Sequence, residues 1–157
     1  MRTLSKKTQY TLRALYALSR TYGNGLTLSA RIAKEESIPQ EFLENILLNL
    51  TRKGLVTSKK GKGGGYALLR APSEITIGQV IRLIEGSLAP LPCASETAYR
   101  KCDECVDDRF CGTRMVMREV RDAMAAILDK TTLAEVCGRI DDARAAAHDG
   151  DGLMFYI

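Results

Sequence analysis

The sequence predicts a mainly α-helical fold with one small β-hairpin and a long C-terminal helix, and three patterns lead to this prediction. Apolar residues recur at helical spacing in six segments, four before and two after a central stretch that lacks periodicity. The runs LVTSKK and YALLR flank the glycine-rich stretch GKGGG, which is typical of two short strands joined by a tight tip. Two helices, a third helix and a basic hairpin, in this order, indicate a winged helix-turn-helix.

The first three helices follow from their apolar stripes and their end signals. Residues 5–22 form an amphipathic helix, and a second, short helix follows a glycine-containing break. The third helix is expected over about 39–53. Ser37, with Gln40 three residues later, forms a capping-box pattern at its start. Pro39 suits the first turn, where a missing N–H is tolerated.

Later helix starts and the central loop divide the rest of the chain. The pairs Thr76/Gln79 and Thr132/Glu135 repeat the capping box and start a fourth and a last helix. The long helix between them has an apolar stripe wider than one small lobe requires, so it is interpreted as a dimerisation helix. We therefore expect a winged helix-turn-helix DNA-binding domain over 1–86, a cysteine-rich loop over 87–112, dimerisation helices over 113–147 and a C-terminal tail over 148–157.

Charge is distributed unevenly along the chain. Residues 1–70 contain 13 Lys and Arg against 4 Asp and Glu, whereas residues 71–157 contain 10 against 15. A basic half suggests contact with a polyanion, of which nucleic acid is the first candidate, and an acidic half suggests self-association or sensing. There is no apolar run of eighteen residues and no signal-peptide pattern, so we expect a cytoplasmic protein without a membrane segment.

The candidate DNA-reading residues lie at the start of the third helix and on the hairpin. Gln and Asn can pair with adenine, and Glu can accept from cytosine, so the helix candidates are Pro39, Gln40, Glu41, Glu44 and Asn45. On the hairpin, ammonium groups close to a glycine-rich tip can neutralise phosphates, and the candidates there are Lys59, Lys60 and Lys62. The glycine spacing matches neither a P-loop nor a dinucleotide-binding pattern.

Four of the five cysteines fall within nineteen residues, in the pattern Cys93-x8-Cys102-x2-Cys105-x5-Cys111. Thiolates are soft ligands, so this cluster suits an iron–sulfur centre or zinc, and a reversible disulfide between Cys102 and Cys105 is a third possibility. His148 is the only histidine, so Cys-His and Ser-His-Asp catalytic arrangements have no support, and we do not expect an enzyme.

Over roughly residues 1–140 the chain resembles the Rrf-type winged-helix transcription regulators, which have IscR, NsrR, RirA and CymR branches. The resemblance rests on the opening MRTLSKKTQYTLRAL, the helix-turn-helix SIPQEFLENILLNLTRKGLV, the wing KGKGGGYALL, the helix TIGQVIRLIEG and the cysteine loop before the long helix. It implies a homodimeric bacterial DNA-binding protein that reads a pseudo-palindromic operator. In the cluster-bearing branches, the loop holds a [2Fe-2S] or [4Fe-4S] centre near the partner subunit's first helix.

The resemblance also implies a set of ligands. Cys93, Cys105 and Cys111 match the three cysteine ligands of the family, while Cys102 lies in an insertion that the usual pattern lacks. In the IscR type a histidine follows three residues after the last cysteine, and here that position is Arg114, which cannot serve as a ligand. NsrR-like members can use a carboxylate of the partner's first helix, but the matching residue here is Gln9. Cys102 is therefore the candidate fourth ligand, with an exogenous ligand as the alternative.

Carried over from the family, the DNA contacts come from Pro39, Glu41, Phe42, Glu44 and Asn45 on the reading helix and Lys60 on the wing. The sequence thus predicts a homodimeric transcription regulator that senses iron, redox state or nitric oxide through an iron–sulfur cluster. One alternative is a cluster-free or zinc-binding thiol-switch regulator, as in the CymR branch. Another is an iron–sulfur electron-transfer or assembly protein whose basic half binds an acidic partner.

Overall fold

A computed structural model describes the backbone of residues 4–152 and the side chains of residues 4–147. Within this part the chain forms six α-helices and one two-stranded antiparallel sheet, so the predicted mainly helical fold with a small hairpin is confirmed. The elements, in chain order, are α1 (Lys6–Arg20), α2 (Ser29–Glu35), α3 (Gln40–Arg52), β1 (Val56–Lys59), β2 (Gly65–Leu68), α4 (Ile77–Glu85), α5 (Gly112–Leu128) and α6 (Leu133–Gly152).

The first three helices pack around one apolar core. Each contributes side chains at helical spacing that are fully or almost fully buried, among them Leu15 and Leu18 of α1, Ile32 of α2 and Leu47 of α3. Residues from the wing, α4 and the start of α6 join the same core. The winged helix-turn-helix therefore shares its interior with the C-terminal half of the chain.

The expected capping box before α3 is wrong. Ser37 has a positive φ of 49°, and no side chain caps the first turn of α3, which begins directly after Pro39. The Gln40 amide instead donates to the Ser29 hydroxyl and the Glu44 carboxylate, at 3.0 and 2.7 Å. The sharp turn between α2 and α3 requires a left-handed residue at Ser37, and that backbone conformation is incompatible with the cap.

The wing has the predicted hairpin and one additional pairing. β1 and β2 pair from Val56 opposite Leu68 to Lys59 opposite Gly65. Thr27, before α2, forms an isolated antiparallel bridge with Tyr66, with two backbone hydrogen bonds of 2.9 and 2.8 Å. A Cβ on Gly65 would lie 2.6 Å from the Thr27 carbonyl oxygen, so this close approach requires glycine.

The starts of α4 and α6 are joined to each other. Both predicted capping boxes are confirmed, Thr76 with Gln79 and Thr132 with Glu135. The two threonines form an antiparallel bridge, in which the Leu133 N–H donates to the Ile75 carbonyl at 2.9 Å. This junction anchors α6, which also packs along α1, to the winged helix-turn-helix.

A long loop connects α4 to α5 and carries the four clustered cysteines; a 3-10 turn at Pro92–Ala94 is its only helical segment in the described chain. α6 continues to Gly152 and so includes the first residues of the expected tail, while residues 153–157 lie outside the described part. No helix in residues 4–152 combines the length and apolar character needed to cross a membrane.

Candidate DNA-binding face and cysteine site

The polar face of α3 brings together all the residues that sequence reasoning selected on this helix. The selected side chains are exposed, and they are Pro39, Gln40, Glu41, Phe42, Glu44 and Asn45. The apolar residues of the same helix, such as Leu43 and Leu47, point into the core. The Asn45 amide donates to the Glu41 carbonyl at 3.0 Å, which leaves its side-chain oxygen directed away from the helix backbone.

Phe42 is supported from α1. Its ring packs edge-on against Tyr10, with centroids 5.5 Å apart, yet 41% of the residue remains exposed. Phe42, Asn45 and Ile46 line an open cleft of about 220 Å³ with Lys7 of α1. Lys7 therefore lies on the same surface as the reading residues, a position that the sequence did not reveal.

Two arginines of α1 fasten the turn that precedes α3. The Arg13 guanidinium donates to the Glu36 carbonyl, and Arg20 donates to the Glu36 carboxylate. Arg13 also lies over the Tyr10 ring at 5.7 Å. These contacts join α1 to the turn between α2 and α3.

The wing presents its lysines to solvent. Lys59, Lys60 and Lys62 are exposed, as predicted for side chains that contact phosphates. A cleft of about 340 Å³ separates the wing from α3 and is lined by Lys59, Lys60 and Leu48. The tip is tightly folded, since a Cβ on Gly64 would lie 2.2 Å from the Lys59 carbonyl oxygen.

The four loop cysteines share one neighbourhood. Cys93 is buried, Cys105 and Cys111 are half-buried, and Cys102 is exposed. Burial raises the pKa of the Cys93 thiol, and Cys102 and Cys111 raise it further. Burial also raises the pKa of Cys105, with a contribution from Cys111, opposed by Lys101. Each thiol is therefore close enough to others of the set to interact with them electrostatically.

The four loop thiols differ in their suitability for a single metal ion and for an iron–sulfur cluster. Among the described residues, no group of three or more Cys, His, Asp or Glu side chains is close enough to share a single metal ion. A structural zinc site needs four ligands around one ion. An iron–sulfur cluster instead binds its cysteines through different iron atoms, so its ligand sulfurs stand farther apart. The chemistry of the donor set, four cysteine thiols on one loop, is that of iron–sulfur sites.

Arg114, in the first turn of α5, contacts three parts of the cysteine loop. Its guanidinium donates to the carbonyls of Cys93, at 2.9 Å, and Asp108, at 3.0 Å, and lies over the Tyr99 ring at 5.2 Å. The Tyr99 hydroxyl donates to the Asp108 carboxylate, which lowers the pKa of Asp108 and raises that of Tyr99. The residue that replaces the histidine ligand thus organises the loop instead.

Arg121 lies two turns further along α5 and is buried. It donates to the Ala94 carbonyl and pairs with the carboxylates of Glu96, at 3.2 Å, and Asp122. Sequence reasoning named Arg114 only as a residue that cannot be a ligand and missed Arg121, although their spacing of seven residues places them on one face of a helix and was a usable signal. Gln9, at the position of the NsrR carboxylate, is exposed, and its amide donates to the Leu4 carbonyl.

Comparison with known proteins decides the family. Residues 4–139 match the family model Rrf2, described as an iron-dependent transcriptional regulator. The chain belongs to the Rrf2 family. An rrf2-like HTH-type transcriptional regulator of Rhodobacter capsulatus is 39% identical to this Rrf2 protein over 137 residues, 85% of this chain and 91% of the relative.

Solved structures agree with the Rrf2 assignment. The structure of CymR, the global cysteine regulator of B. subtilis, superposes with a TM-score of 0.73 at 29% identity and covers 88% of this chain and 98% of its own. T. potens IscR superposes with a TM-score of 0.72 at 27% identity, covering 90% of each chain. This Rrf2 protein is therefore a winged-helix transcription regulator, and not an enzyme.

Proposed function

We propose that this Rrf2 regulator binds a pseudo-palindromic operator as a homodimer and senses iron, redox state or nitric oxide through an iron–sulfur cluster. The observation that carries the proposal is the neighbourhood of Cys93, Cys102, Cys105 and Cys111 on the loop that leads into α5. The description of the family model as iron-dependent supports the same chemistry. The cell compartment that follows from this function is the cytoplasm.

DNA binding is supported by the shape and charge of one face. The exposed residues of α3 can enter a major groove, while Lys59, Lys60 and Lys62 follow the adjacent phosphates. Lys7 extends this face to α1. The acidic residues Glu41 and Glu44 repel phosphate, so in this proposal they face base edges, where Glu can accept from cytosine.

Dimerisation is supported by the apolar stripe of α5, which has two edges. Met124 and Leu128 pack against the core of their own chain. Val116, Val120 and Ile127, at helical spacing along the other edge, are 38–67% exposed. A second copy that covers this edge with the same edge of its own α5 would form a symmetric interface.

In the proposed site, Cys93, Cys105 and Cys111 hold the cluster, and Cys102 supplies the fourth thiolate. The cluster, when bound, supplies a redox- and nitric-oxide-reactive centre whose gain or loss changes the state of the loop. Residues of the chain carry this change: the loop contacts α5 through Arg114, and α5 is the proposed dimer helix. Differential DNA binding by the two states is all that the coupling requires.

A second candidate is a cluster-free thiol switch, and one contact favours it. The exposed Cys102 thiol interacts directly with the buried Cys93 thiol, so an oxidant that removes two electrons and two protons could join them. The CymR relative, named as a global cysteine regulator, belongs to the same family.

Membership of a regulator family leaves no reason to pursue the electron-transfer interpretation.

The cluster is tested by anaerobic purification with iron and acid-labile sulfide assays and a visible absorption spectrum. We expect brown wild-type protein with matching iron and sulfide, and loss of both in Cys102→Ala. Cys137→Ala is the matched control, because this cysteine lies on α6, outside the loop, and should leave the cluster intact. Colourless wild-type protein that forms a disulfide under mild oxidation would favour the thiol switch.

The DNA-binding face is tested by the salt dependence of affinity for a mixed-sequence duplex. Replacing Lys59, Lys60 or Lys62 by Ala should reduce the slope of log affinity against log salt by about 0.9 for each lysine that contacts a phosphate. Lys130→Ala is the control, since this exposed lysine lies between α5 and α6. Unchanged slopes in all three wing variants would contradict the proposed phosphate contacts.

A further inference from the structure

The segment that carries Cys93 is fastened to α5 by two arginines that converge on it. Arg114 and Arg121 are separated by two helical turns, about 10 Å along the axis. Their guanidinium groups nevertheless bind the carbonyls of two consecutive residues, Cys93 and Ala94. Two long side chains thus hold one short piece of backbone from both sides.

Other contacts make this attachment specific. The side chain of Arg114 also binds Asp108 and packs on Tyr99, so one guanidinium joins the beginning, the middle and the end of the loop. Arg121 is 8% exposed and has carboxylates on either side. Neither guanidinium is available for another partner without losing these hydrogen bonds.

The consequence for movement follows from the cost of breaking the contacts. A hydrogen bond weakens steeply once its donor and acceptor separate beyond about 3.5 Å, and a buried guanidinium without partners is costly. If the backbone of Cys93 shifts, the least costly response is for the first three turns of α5 to follow it. The arginines therefore couple the position of one thiol to the position of a helix.

We propose that Arg114 and Arg121 are positioning residues of the cysteine site: they hold Cys93 in its buried place and transmit its displacement to α5. The inference deepens the proposed function, since it names the path from the cysteine site to the dimer helix. The contacts that carry it are made only by residues of this chain. It can therefore be tested in reduced protein prepared without iron.

Its first test is the rate at which iodoacetamide alkylates Cys93 in the reduced, iron-free protein, followed by mass spectrometry. Cys137, half-buried between α6 and α1, reports on general unfolding in the same molecule. We expect Arg114→Ala and Arg121→Ala to accelerate Cys93 by about tenfold, which corresponds to about 1.4 kcal/mol of local opening, and to leave Cys137 unchanged. Arg118→Ala, an exposed arginine of the same helix, is the matched control.

Arg114→Lys guards against a variant that fails to fold. Lysine keeps the charge but cannot bind two carbonyls with one planar fork, so its Cys93 rate should lie between those of wild type and Arg114→Ala. A wild-type rate at Cys93 in both alanine variants would overturn the inference. Equal acceleration of Cys93 and Cys137 in all the variants would also overturn it, because the arginines would then stabilise the fold as a whole.

The transmission step is tested by hydrogen–deuterium exchange. Complete alkylation should accelerate exchange over residues 112–121 in wild type, and less so in Arg121→Ala, where the link is cut. Cys93→Ala alkylated at its other cysteines is the control, and it should show no such change. Unaltered exchange in alkylated wild type would refute transmission. Because no iron is present, neither result depends on whether the proposed cluster forms.

Discussion

The helix-turn-helix and the cysteine loop are each held by two arginines, seven residues apart on a neighbouring helix. They differ in how much of the segment that the arginines bind is buried in the core. Arg13 and Arg20 of α1 bind Glu36, and beneath that turn Ile38 and Leu43 are buried in the core. Arg114 and Arg121 of α5 bind the buried first part of a loop whose following residues, 96–104, are all exposed.

Apolar burial in the loop is confined to its first part, where Leu88, Ala89, Cys93 and Ala94 are buried. Further along, Val106 and Phe110 are 98% and 77% exposed. Polar contacts are thus one support among several in the DNA-binding half and in the first part of the loop, and the main support of residues 96–110. A DNA-binding half with a buried core beside an exposed loop segment suits the proposed division between DNA binding and sensing, because regions with few apolar contacts open at low free energy.

Core truncation should separate the two regions most strongly. Leu43→Ala removes a fully buried side chain below the helix-turn-helix and should lower the free energy of unfolding by about 2–5 kcal/mol. Phe110→Ala in the loop should change it by less than about 0.5 kcal/mol, since the ring is largely exposed. Urea denaturation followed by circular dichroism measures both, and similar losses would contradict the contrast.

Removing the charge of a carboxylate that binds these arginines should cost more unfolding free energy at the turn than in the loop. Glu36→Gln leaves two guanidinium groups without their charged partner and should cost about 1–3 kcal/mol of unfolding free energy. Asp108→Asn should leave global unfolding unchanged and instead accelerate amide exchange across residues 99–111. An equal global effect of the two substitutions would show that the loop is as firmly integrated as the turn.

A third arginine contact, between Arg82 of α4 and Asp129 at the end of α5, should show the smallest effect. The hydrogen bond from Arg82 lowers the pKa of Asp129, so this pair stabilises the fold above the unfolded-state pKa of Asp, about 3.9, and the contribution disappears as the pH falls through the lower folded-state value. Both side chains are substantially exposed, so Asp129→Asn should cost only about 0.2–1 kcal/mol at pH 7. Denaturation at pH 7 and at acidic pH should show a smaller difference from wild type at the lower pH.

Local signals predicted the elements well where they act alone. Thr76 and Thr132 cap their helices because the capping box needs only a few consecutive residues. The capping box predicted at Ser37 does not form, because the turn between two packed helices imposes its own backbone conformation. The pairing of Thr27 with Tyr66 left no periodic signal, since a bridge of one residue on each side has no repeat.

The sequence predicted the cysteines of the site, but it did not predict the arginines that hold the cysteine loop in place. Cysteine spacing identified the loop, because soft ligands close together in a chain are uncommon without a role. The roles of Arg114 and Arg121 were missed because arginines on a long helix are usually solvated, and only the folded loop supplies their carbonyl partners. Sequence reasoning finds the residues that could bind a ligand more readily than the residues that position them.

The junction between the starts of α4 and α6 bears on how modular this protein is. Leu133 is fully buried and completes the core around Ile75, so the first residue of α6 serves the interior of the DNA-binding half. A fragment that ends after α4 would carry an open cavity and an unpaired edge at Ile75. Chimaeras that exchange DNA-binding halves within the family should therefore take α6 along with α1–α4.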